Sequence, residues 1–77
     1  MSPTILRKEG FQFFFYANEH EPKHVHIIKG DDYAKVNLEN LEVKQNFFKK
    51  NELKKALKII EENKFEFIRR WNEYFKR

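Results

Sequence analysis

The first half of the chain alternates apolar and polar positions with the period expected of β-strands. Residues 4–7 and 11–16 are rich in apolar side chains and flank a Lys-Glu-Gly sequence that favours a turn. Residues 24–29 and 33–38 alternate in a similar way around a Gly-Asp-Asp sequence. The pattern therefore predicts two β-hairpins that together form a small antiparallel sheet of about four strands.

The strand at residues 11–16 is predicted to lie in the centre of this sheet. Three phenylalanines share one of its faces, while Phe14 and Tyr16 share the other, so both faces favour burial. Residues 17–23 are polar and contain Pro22, which cannot donate a hydrogen bond to a sheet, and they are predicted to form a loop. Residues 41–43 fit a short edge strand or a loop equally well.

The second half of the chain changes to the period of an amphipathic helix. Asn51 is predicted to be the N-cap, and Glu52 would lie in the first turn, where a carboxylate interacts favourably with the helix dipole. Apolar residues recur at helical spacing as far as Phe75, but Asn63 and Lys64 interrupt the stripe, so a kink or two successive helices is an alternative to one continuous helix. The predicted fold class is α+β, with about four strands packed against one long or kinked C-terminal helix.

Length and composition indicate a single domain over residues 1–77, β-rich over 3–43 and helical over 51–76. The 9 Phe, 3 Tyr and 1 Trp supply the large rings that a short chain needs for a dense core. The absence of cysteine excludes disulfides, thiolate metal sites and cysteine nucleophiles. No stretch resembles a membrane span or a secretory signal, so we expect a cytoplasmic protein with no membrane association.

Positive charge is concentrated in the second half of the chain. Residues 1–43 contain 5 Lys or Arg and 7 Asp or Glu, a net charge of −2, whereas residues 44–77 contain 11 and 5, a net charge of +6. A basic surface of this kind attracts polyanions, which makes RNA a candidate partner. The alternative is a solvated helix surface, because glutamates are interspersed among the lysines and arginines.

One segment concentrates the reactive side chains. Residues 19–26 read Glu-His-Glu-Pro-Lys-His-Val-His and contain all three histidines of the chain. On a strand, His24 and His26 point to the same face with their Cα atoms about 6.6 Å apart, because the rise is about 3.3 Å per residue. Any chemistry is therefore expected in this segment.

An acid–base interpretation of the segment uses the histidines as proton carriers. His24 or His26 would move a proton, while Glu19 or Glu21 would orient the imidazole. Lys23 or Lys29 would stabilise developing negative charge. Cleavage of RNA without a metal requires a set of groups of this kind.

Two other interpretations remain open. In the first, His24 and His26, with His20 or Glu19 as the third ligand, bind a divalent transition metal such as zinc and leave one position for water. In the second, the imidazoles fill a half-polar sheet face and form hydrogen bonds with the loop backbone, without chemistry. Spacing alone does not choose between them.

Residues 3–7, the aromatic strand and residues 18–26 resemble the bacterial family called domain of unknown function 4160, and the similarity runs along nearly the whole chain. The elements of the family pattern correspond here to Pro3, Pro22, His24, His26, Ile27, Gly30 and Trp71. The chain departs from the pattern at Ser2, which shifts Pro3 away from the N-terminus, and at Lys23, which replaces the second proline of a pair.

The resemblance implies a role in a toxin–antitoxin pair. Members of the family are commonly found beside small proteins of another family, domain of unknown function 2442, and such pairs are suspected toxin–antitoxin modules. The chain is then expected to be a toxin-like component that acts on RNA through His24 and His26, with a small antitoxin-like protein as its partner. The alternatives are a metal-binding or protein-interaction module without catalysis, and a homodimer formed through exposed aromatic side chains.

Overall fold

The computed structural model describes residues 4–16 and 20–76. These residues form an antiparallel sheet and two helices in the order β1 (Thr4–Lys8), β2 (Phe11–Phe14), β3 (His24–Lys29), β4 (Asp32–Asn37), β5 (Val43–Asn46), α1 (Lys50–Glu62) and α2 (Lys64–Phe75). The strands lie side by side in chain order. The predicted α+β class is confirmed.

The sheet has five strands in the described part of the chain, rather than about four, because β5 adds an edge strand next to β4. It begins at Val43 instead of covering residues 41–43. Leu41 lies in the left-handed backbone region, with φ of 59°. It belongs to a turn in which the side-chain oxygen of Asn37 accepts two backbone hydrogen bonds, at 2.7 and 3.1 Å. Because Leu41 belongs to this turn, the edge strand begins at Val43 and not at residue 41.

Two successive helices take the place of one long helix. Between them, the side-chain amide of Asn63 donates a hydrogen bond to the carbonyl oxygen of Ile59 at 2.8 Å, and the backbone departs from helical geometry at φ −116°. The first helix begins at Lys50 after the extended residue Lys49, so the predicted N-cap at Asn51 is wrong. Neither helix of the described residues is long and apolar enough to cross a membrane.

One face of the sheet, called the covered face below, packs against the helices. Its strand residues are almost completely buried and include Phe11, Phe13, Val25, Ile27, Ala34 and Val36. The helices contribute Ala56, Ile59, Ile60, Phe67 and Trp71 to the same cluster. The ring centroids of Phe13 and Phe67, for example, lie 5.6 Å apart. The aromatic residues thus provide the dense core that the composition predicts.

The opposite face, called the open face below, contributes none of the strand residues of that buried cluster. Its residues follow from the strand register, since residues directly opposite each other on neighbouring strands share a face. One row across the sheet consists of Arg7, Gln12, Ile28 and Tyr33, and the next consists of Phe14, His26, Lys35 and Gln45. His24 lies opposite Asn37 on the same face. Both strand histidines therefore lie on the open face.

Candidate functional site

His26 lies within a group of aromatic rings on the open face. Its Nδ1 atom is 2.8 Å from the hydroxyl oxygen of Tyr33 on the neighbouring strand. The ring centroids of Tyr16 and Phe14 lie 4.3 and 5.4 Å from that of the imidazole. Only 4% of His26 is exposed. The imidazole therefore supports the rings around it instead of projecting into solvent.

His24 is the first residue of β3 and contacts the preceding loop. Its Nδ1 atom lies 2.8 Å from the carbonyl oxygen of Pro22. Because a carbonyl oxygen only accepts hydrogen bonds, Nδ1 carries a proton and the lone pair of the neutral imidazole is on Nε2. The ring lies 5.0 Å from His26 and 5.2 Å from Trp71, centroid to centroid. The Nε2 atom, which would act as a base or a metal ligand, is itself shielded from solvent.

Glu21 connects this loop to α2. Its carboxylate accepts one hydrogen bond from the indole Nε1 of Trp71 at 3.0 Å and another from the Nζ of Lys23 at 3.3 Å. The Trp71 side chain is fully buried, and a buried indole N–H requires an acceptor. Trp71 thus holds the loop against the helix beside His24. Because Lys23 is paired with this carboxylate, its positive charge is less available for the predicted stabilisation of developing negative charge.

A pocket of about 560 Å³ opens beside His24. It is lined by His20, Glu21, Pro22, His24, Lys35, Asn37, Lys44 and Gln45. Lys35 lies opposite His26, and Lys44 forms an ion pair with Glu42. Sequence reasoning missed both lysines. The period-two alternation of β4 could have identified Lys35, because it puts this residue on the same face as Tyr33.

The other predicted site residues lie in different surroundings. Lys29 is directed to the covered side, where its Nζ forms a 2.7 Å ion pair with Glu52 and lies 4.8 Å from the ring centroid of Phe11. The hydrogen bond from Lys29 holds the pKa of Glu52 below its usual value. His20 is exposed and lines the pocket together with His24. Glu19 lies outside the described residues.

A metal site at the histidines gains no support from the described residues. Over residues 4–16 and 20–76, no group of three or more histidine, cysteine, aspartate or glutamate side chains is arranged to hold a metal ion. His20, His24 and His26 therefore do not form a ligand set in this part of the chain. The metal interpretation stays a prediction.

Comparison with known proteins identifies a family but no activity. A family model described as Domain of unknown function (DUF4160) matches residues 10–72. The match spans four of the strands, the loop before His24, all of α1, and α2 as far as Asn72. No curated protein and no solved structure matches the chain. The matched part includes the strand β3, which carries the histidines, and most of α2, which anchors the loop before it. Because the match covers most of its length, the chain belongs to the family Domain of unknown function (DUF4160).

Proposed function

We propose that the open face binds single-stranded RNA and that the pocket beside His24 holds one of its phosphates. The observation that carries the proposal is an exposed aromatic ring close to a lysine. The ring of Tyr16 is 46% exposed and lies against His26, and Lys35 is opposite His26 on the next strand. Aromatic rings stack on unpaired bases, and lysines neutralise phosphates. Both kinds of contact are available side by side.

Two cations of the open face increase its affinity for phosphate. Among residues 4–16 and 20–76, neither Arg7 nor Lys35 forms an ion pair. Arg7 shares a row with Tyr33, and Lys35 is in the adjacent row. No described residue neutralises the charge of these side chains, which can replace counterions along an RNA backbone.

The rings of the open face are held in place before any ligand binds. The Tyr33 hydroxyl contacts His26 at 2.8 Å, and the rings of Tyr16 and Phe14 meet edge to face at a centroid distance of 5.3 Å. A surface that is already ordered loses little conformational entropy on binding. In this proposal His26 is a positioning residue, because it fixes the ring that stacks on a base.

The pocket beside His24 provides a separate position for a phosphate or a nucleotide. Its volume of about 560 Å³ lies within the range of about 300–1,000 Å³ that small-ligand sites occupy. Lys35 supplies positive charge, whereas Lys44 is paired with Glu42 and Glu21 adds a carboxylate to the lining. His20 and the exposed side chain of Gln45 supply hydrogen-bonding groups. A phosphate in this pocket would lie next to the strand that carries the rings.

Cleavage of the bound RNA is a further step, which the toxin interpretation predicts. His24 would act through Nε2, and the hydrogen bond from Nδ1 to Pro22 would fix the orientation of its ring. Because Nε2 is shielded, the groups that cover it would have to move for the reaction. The toxin role and the antitoxin-like partner remain predictions that are tested separately from RNA binding.

Fluorescence anisotropy with a labelled single-stranded RNA of about 12 nucleotides tests the proposal. We expect Tyr16→Ala to weaken binding about 5- to 150-fold, since stacking on one base contributes about 1–3 kcal/mol. Lys35→Ala should weaken binding and reduce the slope of log K against log salt by about 0.7, the contribution of one phosphate contact on a single strand.

Tyr74→Ala is the matched control. Tyr74 lies on α2 and is 45% exposed, which is close to the 46% of Tyr16. Its loss should leave the affinity unchanged. The proposal is wrong if the wild-type protein does not bind the RNA, or if the two tyrosine variants weaken binding equally.

A further inference from the structure

A second concave surface lies between α1 and the turn that follows β4. It is a groove of about 620 Å³ whose floor is formed by the half-buried side chains of Leu41 and Leu57. Three lysines and one glutamate of α1 line it, namely Lys54, Lys55, Lys58 and Glu61, so positive charge predominates. The groove thus combines an apolar floor with a row of exposed ammonium groups. No step of the proposed RNA binding uses it.

The floor of the groove is held by a turn with a strained residue. Leu41 has a φ of 59°, a conformation that is costly for a residue with a Cβ atom. The turn that contains it is closed by a 2.9 Å hydrogen bond from the N–H of Leu41 to the carbonyl oxygen of Asn37. In spite of this strain the position is occupied by a leucine, and part of its side chain is exposed in the groove.

The lysines of the groove are only partly neutralised. Lys55 lies 3.6 Å from the carboxylate of Glu52. Within the described ranges, neither Lys54 nor Lys58 has an ion-pair partner. These two residues are four apart on one helix, so their like charges repel each other and destabilise the helix slightly. A carboxylate placed between them would remove this repulsion.

We propose that the groove binds a short acidic amphipathic helix of a partner protein. The apolar side chains of that helix, spaced three and four residues apart, would contact Leu41 and Leu57. Its aspartates or glutamates would pair with Lys54 and Lys58 at the rim, where complementary charge selects the partner and accelerates association. An RNA strand is a poorer occupant, because phosphates need the lysines but leave the two leucines without apolar contacts.

The probe for this proposal is a displayed library of random peptides of about 16 residues, selected on the immobilised full chain. We expect the selected peptides to be enriched in aspartate and glutamate, with apolar residues at helical spacing. The tightest peptide, synthesised with a fluorescent label, should lose about tenfold or more in affinity for the double variant Lys54→Glu/Lys58→Glu. The neutral pair Lys54→Gln/Lys58→Gln should show a smaller loss, and circular dichroism establishes that each variant is folded.

The double variant Lys49→Glu/Lys76→Glu is the matched control. It changes the net charge by the same amount at two exposed lysines that line neither the groove nor the pocket, and the peptide should bind it as it binds the wild type. The proposal is overturned if both charge-reversed variants lose the peptide equally, or if the selected peptides show no acidic enrichment. It is also overturned if the Lys54→Glu/Lys58→Glu variant loses RNA instead of peptide, or if it abolishes self-association in sedimentation experiments, which would make a second copy the occupant.

Discussion

Replacing Tyr33 by phenylalanine tests how much the contact between its hydroxyl and His26 contributes to the stability of the protein. The substitution removes one hydroxyl oxygen and keeps the ring, whose centroid lies 5.9 Å from that of the imidazole. The hydroxyl lies 2.8 Å from Nδ1 of His26, and only 4% of that histidine is exposed. Water is therefore poorly able to replace the lost partner.

The magnitude of the effect follows from this burial. A neutral hydrogen bond contributes about 0.5–1.5 kcal/mol, and a buried group left without that bond costs about 1–3 kcal/mol. Since Tyr33 itself is only half-buried, we expect the free energy of unfolding to fall by about 1–2 kcal/mol. For a chain of this size, each kcal/mol lowers Tm by about 4–8 °C.

Urea denaturation followed by tryptophan fluorescence measures the change, because Trp71 is the single tryptophan and is buried. Tyr74→Phe removes the same atom from a ring that is 45% exposed, and it should change the stability by less than about 0.5 kcal/mol. Equal effects of the two substitutions would refute the reasoning that the Tyr33 hydroxyl is a structural partner of His26. A change in the denaturant slope m would indicate instead that the open face rearranges.

Two further predictions concern charge and the histidine segment. Glu52→Gln should destabilise the protein at pH 7 and have progressively less effect below about pH 4, because the Lys29 hydrogen bond lowers the pKa of Glu52 in the folded state. Its contribution to stability is present above the unfolded pKa and is lost as pH falls through the folded pKa; thermal unfolding at several pH values measures it, and a constant effect down to pH 3 would contradict the assignment. His24→Ala should abolish RNA cleavage if the toxin interpretation is correct, and it should remove a zinc-dependent rise in Tm if the metal interpretation is correct. A folded His24→Ala variant that retains both properties would exclude His24 from either role.

The two hairpins could be predicted because their turns carry glycine where the backbone requires a positive φ, 85° at Gly10 and 61° at Gly30. The fifth strand could be predicted only as one of two alternatives, and at residues 41–43 instead of Val43–Asn46. Its residues read Val-Lys-Gln-Asn, with three exposed side chains and one partly buried valine, so no apolar period marks it. Its position depends on the turn around Asn37, which is formed by side-chain hydrogen bonds that are not evident from periodicity.

The sequence predicted which site residues of β3 share a face, but not which residues of other elements lie beside them. His24 and His26 share a face, as strand geometry requires, and the structure brings them within 5.0 Å of each other, ring to ring. Their burial depends on rings from other elements, such as Tyr33 and Trp71, and Lys35 joins the site only through the β3–β4 register. Such contacts are set by the tertiary structure, which spacing along one strand does not report.

The hydrogen bond between Trp71 and Glu21 joins residues that are 50 positions apart. Ribosomes synthesise the chain from its N-terminus, so the whole sheet and α1 leave the exit tunnel before Trp71 does. Until then the loop beside His24 has no anchor on α2, and the pocket is incomplete. A ligand of this pocket would therefore meet the anchored loop only after α2 has docked.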